Sequence, residues 1–258
     1  MKCTLFSPDV PPSRHRALAR WTRVAILGAA TLMALPAAHA NVTITFDNLP
    51  VDLVGHGDYW DTHDGFYVGA FSNSGAAQPG DLVGAVVDGT HADETCWALQ
   101  CPARSSQYMS ILNDGVLDIG RNKPTEGFSI KSFSASFLGP VDSTAPSVAG
   151  LLRLQGIKLD GTSMTQTYNL PGAGANGFSF IDIPTTGAFA TTQFNEVFFF
   201  GFACNATGSC TAFNSDRGQF AIDDIVTTAT APVPEPSTWL MLGAGLLGLA
   251  AWNRRRSA

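Results

Sequence analysis

Positive charge is scarce in the body of this sequence. Between residues 41 and 234, seven Lys and Arg stand against 19 Asp and Glu. A surface that acidic repels phosphate backbones, which argues against nucleic acid as a partner. Helical periodicity is equally scarce, so alternating strand–helix units around a parallel sheet are excluded. No internal repeat marks a propeller or solenoid. The stretch also lacks a glycine loop for phosphate and a Gly-x-Ser-x-Gly nucleophile turn. What remains is a chain of short runs in which apolar and polar residues alternate.

The two ends differ from the body. Arg14, Arg16, Arg20 and Arg23 precede an apolar stretch from Val24 to Leu35, and Ala38-His39-Ala40 follows it. That order of basic, apolar and small residues is a secretory signal peptide over residues 1–40, with Ala38 and Ala40 at the cleavage site and Asn41 as the new N-terminus. At the other end, Ser237 to Trp252 carries no charge and is followed by Arg254, Arg255 and Arg256. As a helix that segment spans about 24 Å, short for a hydrocarbon layer of about 30 Å but tolerable where the bilayer thins. The arginines hold its far end on the cytoplasmic side. Residues 227–236, rich in Thr and Pro, read as an extended linker between the domain and this tail.

Residues 41–226 then form one domain. "VTITF", "GFYVGAF", "LVGAVV", "QYMSIL", "GFSIKSFSASFL", "GFSFIDI", "NEVFFFGFA" and "QFAIDDIVT" each read as a strand, and "GLLRLQGIKLDGTSMTQTYNL" as two strands joined at Asp160-Gly161. About ten antiparallel strands imply an all-β fold, with two sheets packed face to face as a β-sandwich. "EVFFFGF", apolar at nearly every position, is expected at the centre of a sheet with one side in the core and the other covered.

Cysteine is used sparingly. Cys3 leaves with the signal, and the others fall into close pairs, Cys96 with Cys101 and Cys204 with Cys210. Local pairing is the simplest of three connectivities, and an oxidising compartment preserves it. A four-cysteine zinc site is the rival, although neither spacing has the usual form. The densest polar cluster is "GHGDYWDTHDG", residues 55–65. A sugar ring stacked on Tyr59 or Trp60, with His56 and the carboxylates beside it, is one reading. A metal held by His56, His63 and carboxylates is a second, and a solvated loop whose aromatics pack back on the sandwich is a third. No pair of carboxylates stands out as an acid–base couple, so no catalytic residue is nominated. A binding or structural protein is favoured over a glycan-acting hydrolase on the same scaffold.

Pro234-Glu235-Pro236, a short apolar segment with Gly243, Gly245 and Gly248, and the arginine cluster together resemble the PEP-CTERM sorting signal of Gram-negative bacteria. The resemblance implies transient anchoring in the inner membrane and processing by an exosortase near Pro-Glu-Pro. Release to the cell surface or extracellular matrix, among exopolysaccharide and biofilm components, would follow. "ITFDNLP", "GIKLDGTSMTQTYNL" and "FNEVFFFGF…FAIDDIV" resemble jelly-roll domains common among such passengers, which are similar to carbohydrate-binding modules. In a jelly roll the first and last strands lie side by side. That placement implies a structural calcium ion near Asp47, Asp223 and Asp224; turn-capping is the alternative role for these aspartates.

Overall fold

The computed structural model describes residues 39–230 except 63, 97–98, 124 and 141–145, together with 242, 243, 245 and 246. Ala38 and the Pro-Glu-Pro and arginine elements of the tail lie outside the described residues. The four described tail residues are helical. Among the described residues no helix is long and apolar enough to cross a membrane.

The domain is an antiparallel β-sandwich, as its alternating pattern requires. One sheet runs β2 (Leu53–Gly55), β5 (Leu82–Asp88), β7 (Gln107–Ile111), β16 (Phe220–Thr230), β9 (Phe128–Phe137), β13 (Ile181–Pro184). The first strand, β1 (His39–Ile44), lies beside the second half of β16, with Ile44 opposite Ile225. The other sheet runs β12 (Ser163–Pro171), β11 (Val148–Lys158), β14 (Phe194–Cys204), β8 (Gly115–Arg121), β4 (Phe66–Ser72), β3 (Tyr59–Asp61). β15 (Cys210–Thr211) pairs with the end of β14. A single bridge, Phe128 opposite Phe194, connects the two sheets by hydrogen bonding. A small ribbon of β6 (Leu99–Gln100) and β10 (Gly139–Pro140) and one short helix, α1 (Ala92–Thr95), complete the ordered elements.

Side chains of alternating parity meet between the sheets. Phe66 meets Phe128 edge to face at 5.2 Å, and Phe133 meets Phe199 at 5.7 Å and Tyr168 at 5.4 Å. Such pairs add about 0.5–1.5 kcal/mol each beyond their burial. β14 is central, between β11 and β8, as its composition predicted. The hairpin at Asp160-Gly161 forms, with Gly161 at φ +80° in the region that favours glycine. Both disulfides join the sequence neighbours, Cys96 to Cys101 and Cys204 to Cys210.

The domain's C-terminal boundary lies later than composition suggested. β16 continues to Thr230, so residues 227–230 are paired strand and not linker. Thr227 Oγ1 donates to the Val42 carbonyl at 3.1 Å, and Thr228 Oγ1 to Asn41 Oδ1 at 2.8 Å. β-branched threonines suit a strand as readily as a linker, and here pairing decides. Cleavage after Ala40, expected from the sequence, would remove two of the six β1–β16 pairs and leave those from Asn41 to Ile44.

Candidate functional site

The predicted sugar-binding cluster is divided by the strand it forms. Tyr59, Trp60 and Asp61 make β3, so their side chains alternate. Trp60 turns inward and packs against the core, which removes it as an exposed platform, while Tyr59 stays 64 % exposed. His56 is a structural residue, its Nδ1 accepting from the Ser72 backbone N–H at 2.9 Å. Asp58 closes the same turn by accepting from the Gly55 N–H. His63 lies outside the described residues.

Tyr59 nevertheless stands at the edge of a larger surface. Register places Tyr59 beside Gly69, Gly69 beside Asp118, Asp118 beside Phe198 and Phe198 beside Gln155. These residues share the outer face of the β14 sheet. Along β14, Val197 and Phe199 point inward, so Glu196, Phe198, Phe200 and Phe202 point outward and are half-buried. Phe71 contacts Phe198 edge to face at 5.9 Å. Phe200 links Phe202 at 5.8 Å to Phe213 at 5.2 Å, and Phe213 is 38 % exposed. Arg153, from β11, lies 4.6 Å over the Phe202 ring and donates to Thr167 Oγ1. The run of phenylalanines in "EVFFFGF" thus supplies both a core stripe and an aromatic outer stripe. Its outward residues were not nominated as a ligand site, although β-alternation within the run marks them.

At one end of the aromatic stripe sits a polar trio. The Tyr67 ring crosses β8 directly over Gly120, where an added Cβ would stand 2.4 Å from the ring. That clearance lets the Tyr67 hydroxyl reach Glu196 Oε1 on β14, to which it donates at 2.8 Å. Asp118, on β8, is the diagonal neighbour of Glu196 across the β8–β14 pairing. Its Oδ1 is buried and has no hydrogen-bond partner among the described residues. Burial, then the charge of Glu196 and a hydrogen bond with it, push the Asp118 pKa up to about 8. The Tyr67 hydroxyl is pushed up chiefly by burial, then by the neighbouring carboxylate charge of Asp118.

The outer face of the opposite sheet holds the residues expected at calcium. A β-bulge adds one residue to β16 between Asp223 and Val226, and Asp224 there takes φ +48°. The bulge lets two consecutive aspartates approach one cation. That cation is Arg104. Its Nε lies 2.8 Å from Asp223 Oδ2 and 2.9 Å from Ser106 Oγ, and its Nη2 bonds Asp224. Phe180 lies beneath the guanidinium at 4.6 Å. Ser106 donates to Asp223, and Ser134 donates to Asp182 at 2.6 Å. Burial pushes the Asp223 pKa up, against the hydrogen bond from Ser106 and the charge of Arg104. Asp47 accepts from the Gln107 backbone N–H at 3.0 Å. The first and last strands do pair as expected, yet among the described residues no three His, Cys, Asp or Glu side chains are grouped to hold a metal.

A cavity of about 440 Å³ opens between the ends of β9 and β14, lined by Leu99, Phe137, Leu138, Ala149 and Ala203, with Arg217 among its polar residues. Its accessible wall is mainly apolar, with Asn205, Ser209, Thr211, Ser215 and Gln219 also lining it.

Comparison with known proteins separates the tail from the domain. Residues 232–256 match the family model described as the PEP-CTERM protein-sorting motif. No curated protein matches the chain. Among solved structures, the domain is similar to a family 29 carbohydrate-binding module, CBM29-2, at 9 % identity and TM-score 0.32. That match covers 77 % of this chain and 99 % of the module. It is also similar to a xylan-binding domain of family 22, at 11 % identity and TM-score 0.34 over 77 % of this chain and 100 % of that one. A third is the C-terminal family 22 module of Clostridium thermocellum Xyn10B, at 10 % identity and TM-score 0.33, covering 75 % and 96 %. The chain is an antiparallel β-sandwich that carries a PEP-CTERM protein-sorting motif at its C-terminus.

Proposed function

We propose that this is an exported surface protein, sorted by an exosortase, whose β14-sheet outer face binds a glycan of the extracellular polysaccharide layer. The observation that carries the binding role is the aromatic stripe of Phe71, Phe198, Phe200, Phe202 and Phe213. It lies half-buried to exposed on one sheet face beside Asp118, Glu196, Gln155 and Arg153. Sugar rings present flat C–H faces to aromatic surfaces and hydroxyls to polar groups at their border. The sorting motif supports the route: a precursor anchored transiently in the inner membrane, then a mature form at the surface of a Gram-negative cell or in its matrix.

Hydrolysis has less support. Of the two carboxyls on this face, Glu196 accepts from the Tyr67 hydroxyl, and the Asp118 Oδ1 is buried away from where a glycosidic oxygen would lie.

A glycan array probed with the mature secreted protein tests the reading. Retention on neutral polysaccharides is expected, and Phe198→Ala with Phe200→Ala should weaken it at least about tenfold, the loss of a central aromatic anchor. A double variant that melts cooperatively yet binds as the wild type does would move the site elsewhere. Mass spectrometry of the surface form should find Arg254 to Arg256 removed.

A further inference from the structure

The trio at the end of the aromatic stripe holds two carboxyls where the sheet provides no positive charge. Opposite Glu196 stand Ile157 on β11 and Gly120 on β8. Opposite Asp118 stand Phe198 on β14 and Gly69 on β4. The other titratable groups on this face are Tyr67 of β4, which donates to Glu196, and Tyr59 and Asp61 of β3, both exposed. On β11, Arg153 is engaged with Phe202 and Thr167, while Lys158, the residue after Ile157, pairs in register with Phe194 and acts on Asp160 at the hairpin turn. Arg121 of β8 turns the other way, 4.6 Å over Phe66 and 2.5 Å from Glu126. Two carboxyls at diagonal positions of adjacent strands, one of them with a buried oxygen that has no partner among the described residues, repel when both are charged, and a proton retained on Asp118 relieves the repulsion.

Resting on the glycan reading above, we propose that Asp118 keeps its proton beside Glu196 and the Tyr67 hydroxyl, so that the face selects uncharged glycans over uronate chains and releases them in alkali. With the proton in place Asp118 adds no charge to the border of the aromatic stripe. A uronate chain brings negative charge to that site and to a domain already acidic throughout, which costs affinity. When the proton leaves, two like charges stand as diagonal neighbours on one face. Tyr67 must then satisfy one while the other is unpaired, and the geometry that holds its ring over Gly120 is lost. The upward shift of Asp118 to about 8 places the change just above neutral pH.

Affinity electrophoresis of the mature protein through gels containing a neutral β-glucan, a galactomannan, a xylan or polygalacturonate tests this between pH 6 and 9. Retardation by at least one neutral polymer is expected at pH 6.5, with affinity falling roughly tenfold from pH 7 to 9 as the protonated fraction falls. Polygalacturonate should not retard the protein at either pH. Asp118→Asn removes the titration, so its affinity, whatever its level, should not change across that interval. Equal wild-type retardation at pH 6.5 and 9, or retardation by polygalacturonate as strong as by the neutral polymers, overturns the proposal and leaves the glycan reading intact. Retardation by none of the four polymers, together with a blank glycan array, removes both.

Discussion

The outer faces of the two sheets use acidic residues in opposite ways. On the β16 sheet, Asp223 and Asp224 converge on Arg104, while Ser106 and Ser134 bridge the guanidinium to Asp223 and Asp182. Asp223 is fully buried there. On the β14 sheet, Glu196 accepts from Tyr67 and Asp118 stands diagonally beside it, with half-buried aromatic rings next to them. One arrangement is closed by an internal counter-charge, and the other has none. On the proposals above, the first face serves stability and the second recognition.

The largest effect should come from breaking the closed face. Arg104→Ala leaves Asp223 buried without its cation and removes the partner of Asp224. Loss of one member of a buried pair costs about 3–5 kcal/mol. A urea melt at neutral pH should show a loss of that order, and acidification should recover part of it as Asp223 is protonated. Arg104→Lys, which keeps the charge but not the forked donors, should fall between the two. A wild-type melt for Arg104→Ala would mean that the two faces do not differ in this way.

This contrast was only partly legible in the chain. Alternation in "NEVFFFGFA" and "GLLRLQGIKL" sufficed for the sandwich and for the central place of β14, because burial on one face imposes a period of two. The local disulfides and the Asp-Gly hairpin were legible because short separations leave few choices. The polar trio was not, since Tyr67, Asp118 and Glu196 are far apart in sequence and come together only through register across β4, β8 and β14. Nor was Arg104, an isolated residue in a loop. What brings Asp223 and Asp224 to it together is a bulge that no pattern of side chains announces. Trp60 packs back on the sandwich as the third reading of its cluster had it, although the stretch that carries it is a strand and not a loop.

A smaller and pH-dependent effect should distinguish the open face. The Asp118 pKa is raised in the folded state, so the native protein holds this proton where the unfolded chain has lost it. The resulting contribution is complete below the unfolded value of about 4 and is lost as pH rises through about 8. Stability of the wild type relative to Asp118→Asn should therefore decline steadily across that window, read as the difference in Tm at a series of pH values. An increase toward alkaline pH would reverse the sign and disprove the assignment of the proton to Asp118.

The smallest effect concerns calcium at the paired first and last strands. Asp47, Asp223 and Asp224 were natural candidates as ligands, being hard oxygen donors at the place where the chain's ends meet. In the fold, however, Asp47 is bound to the backbone of Gln107, and the other two face a guanidinium. A divalent ion entering between them would meet Arg104 as a like charge, and would have to displace it at the cost of a buried ion pair. Binding of that kind stabilises only in proportion to the affinity left after that cost. Scanning calorimetry of the mature protein with excess EDTA and with millimolar calcium should therefore give the same Tm. In Arg104→Ala, by contrast, the vacated carboxylates should respond to calcium with a rise in Tm. If the wild type instead loses stability to EDTA, the face closed by Arg104 is metal-dependent after all, and the contrast between the two sheets reduces to a difference in which cation each has found.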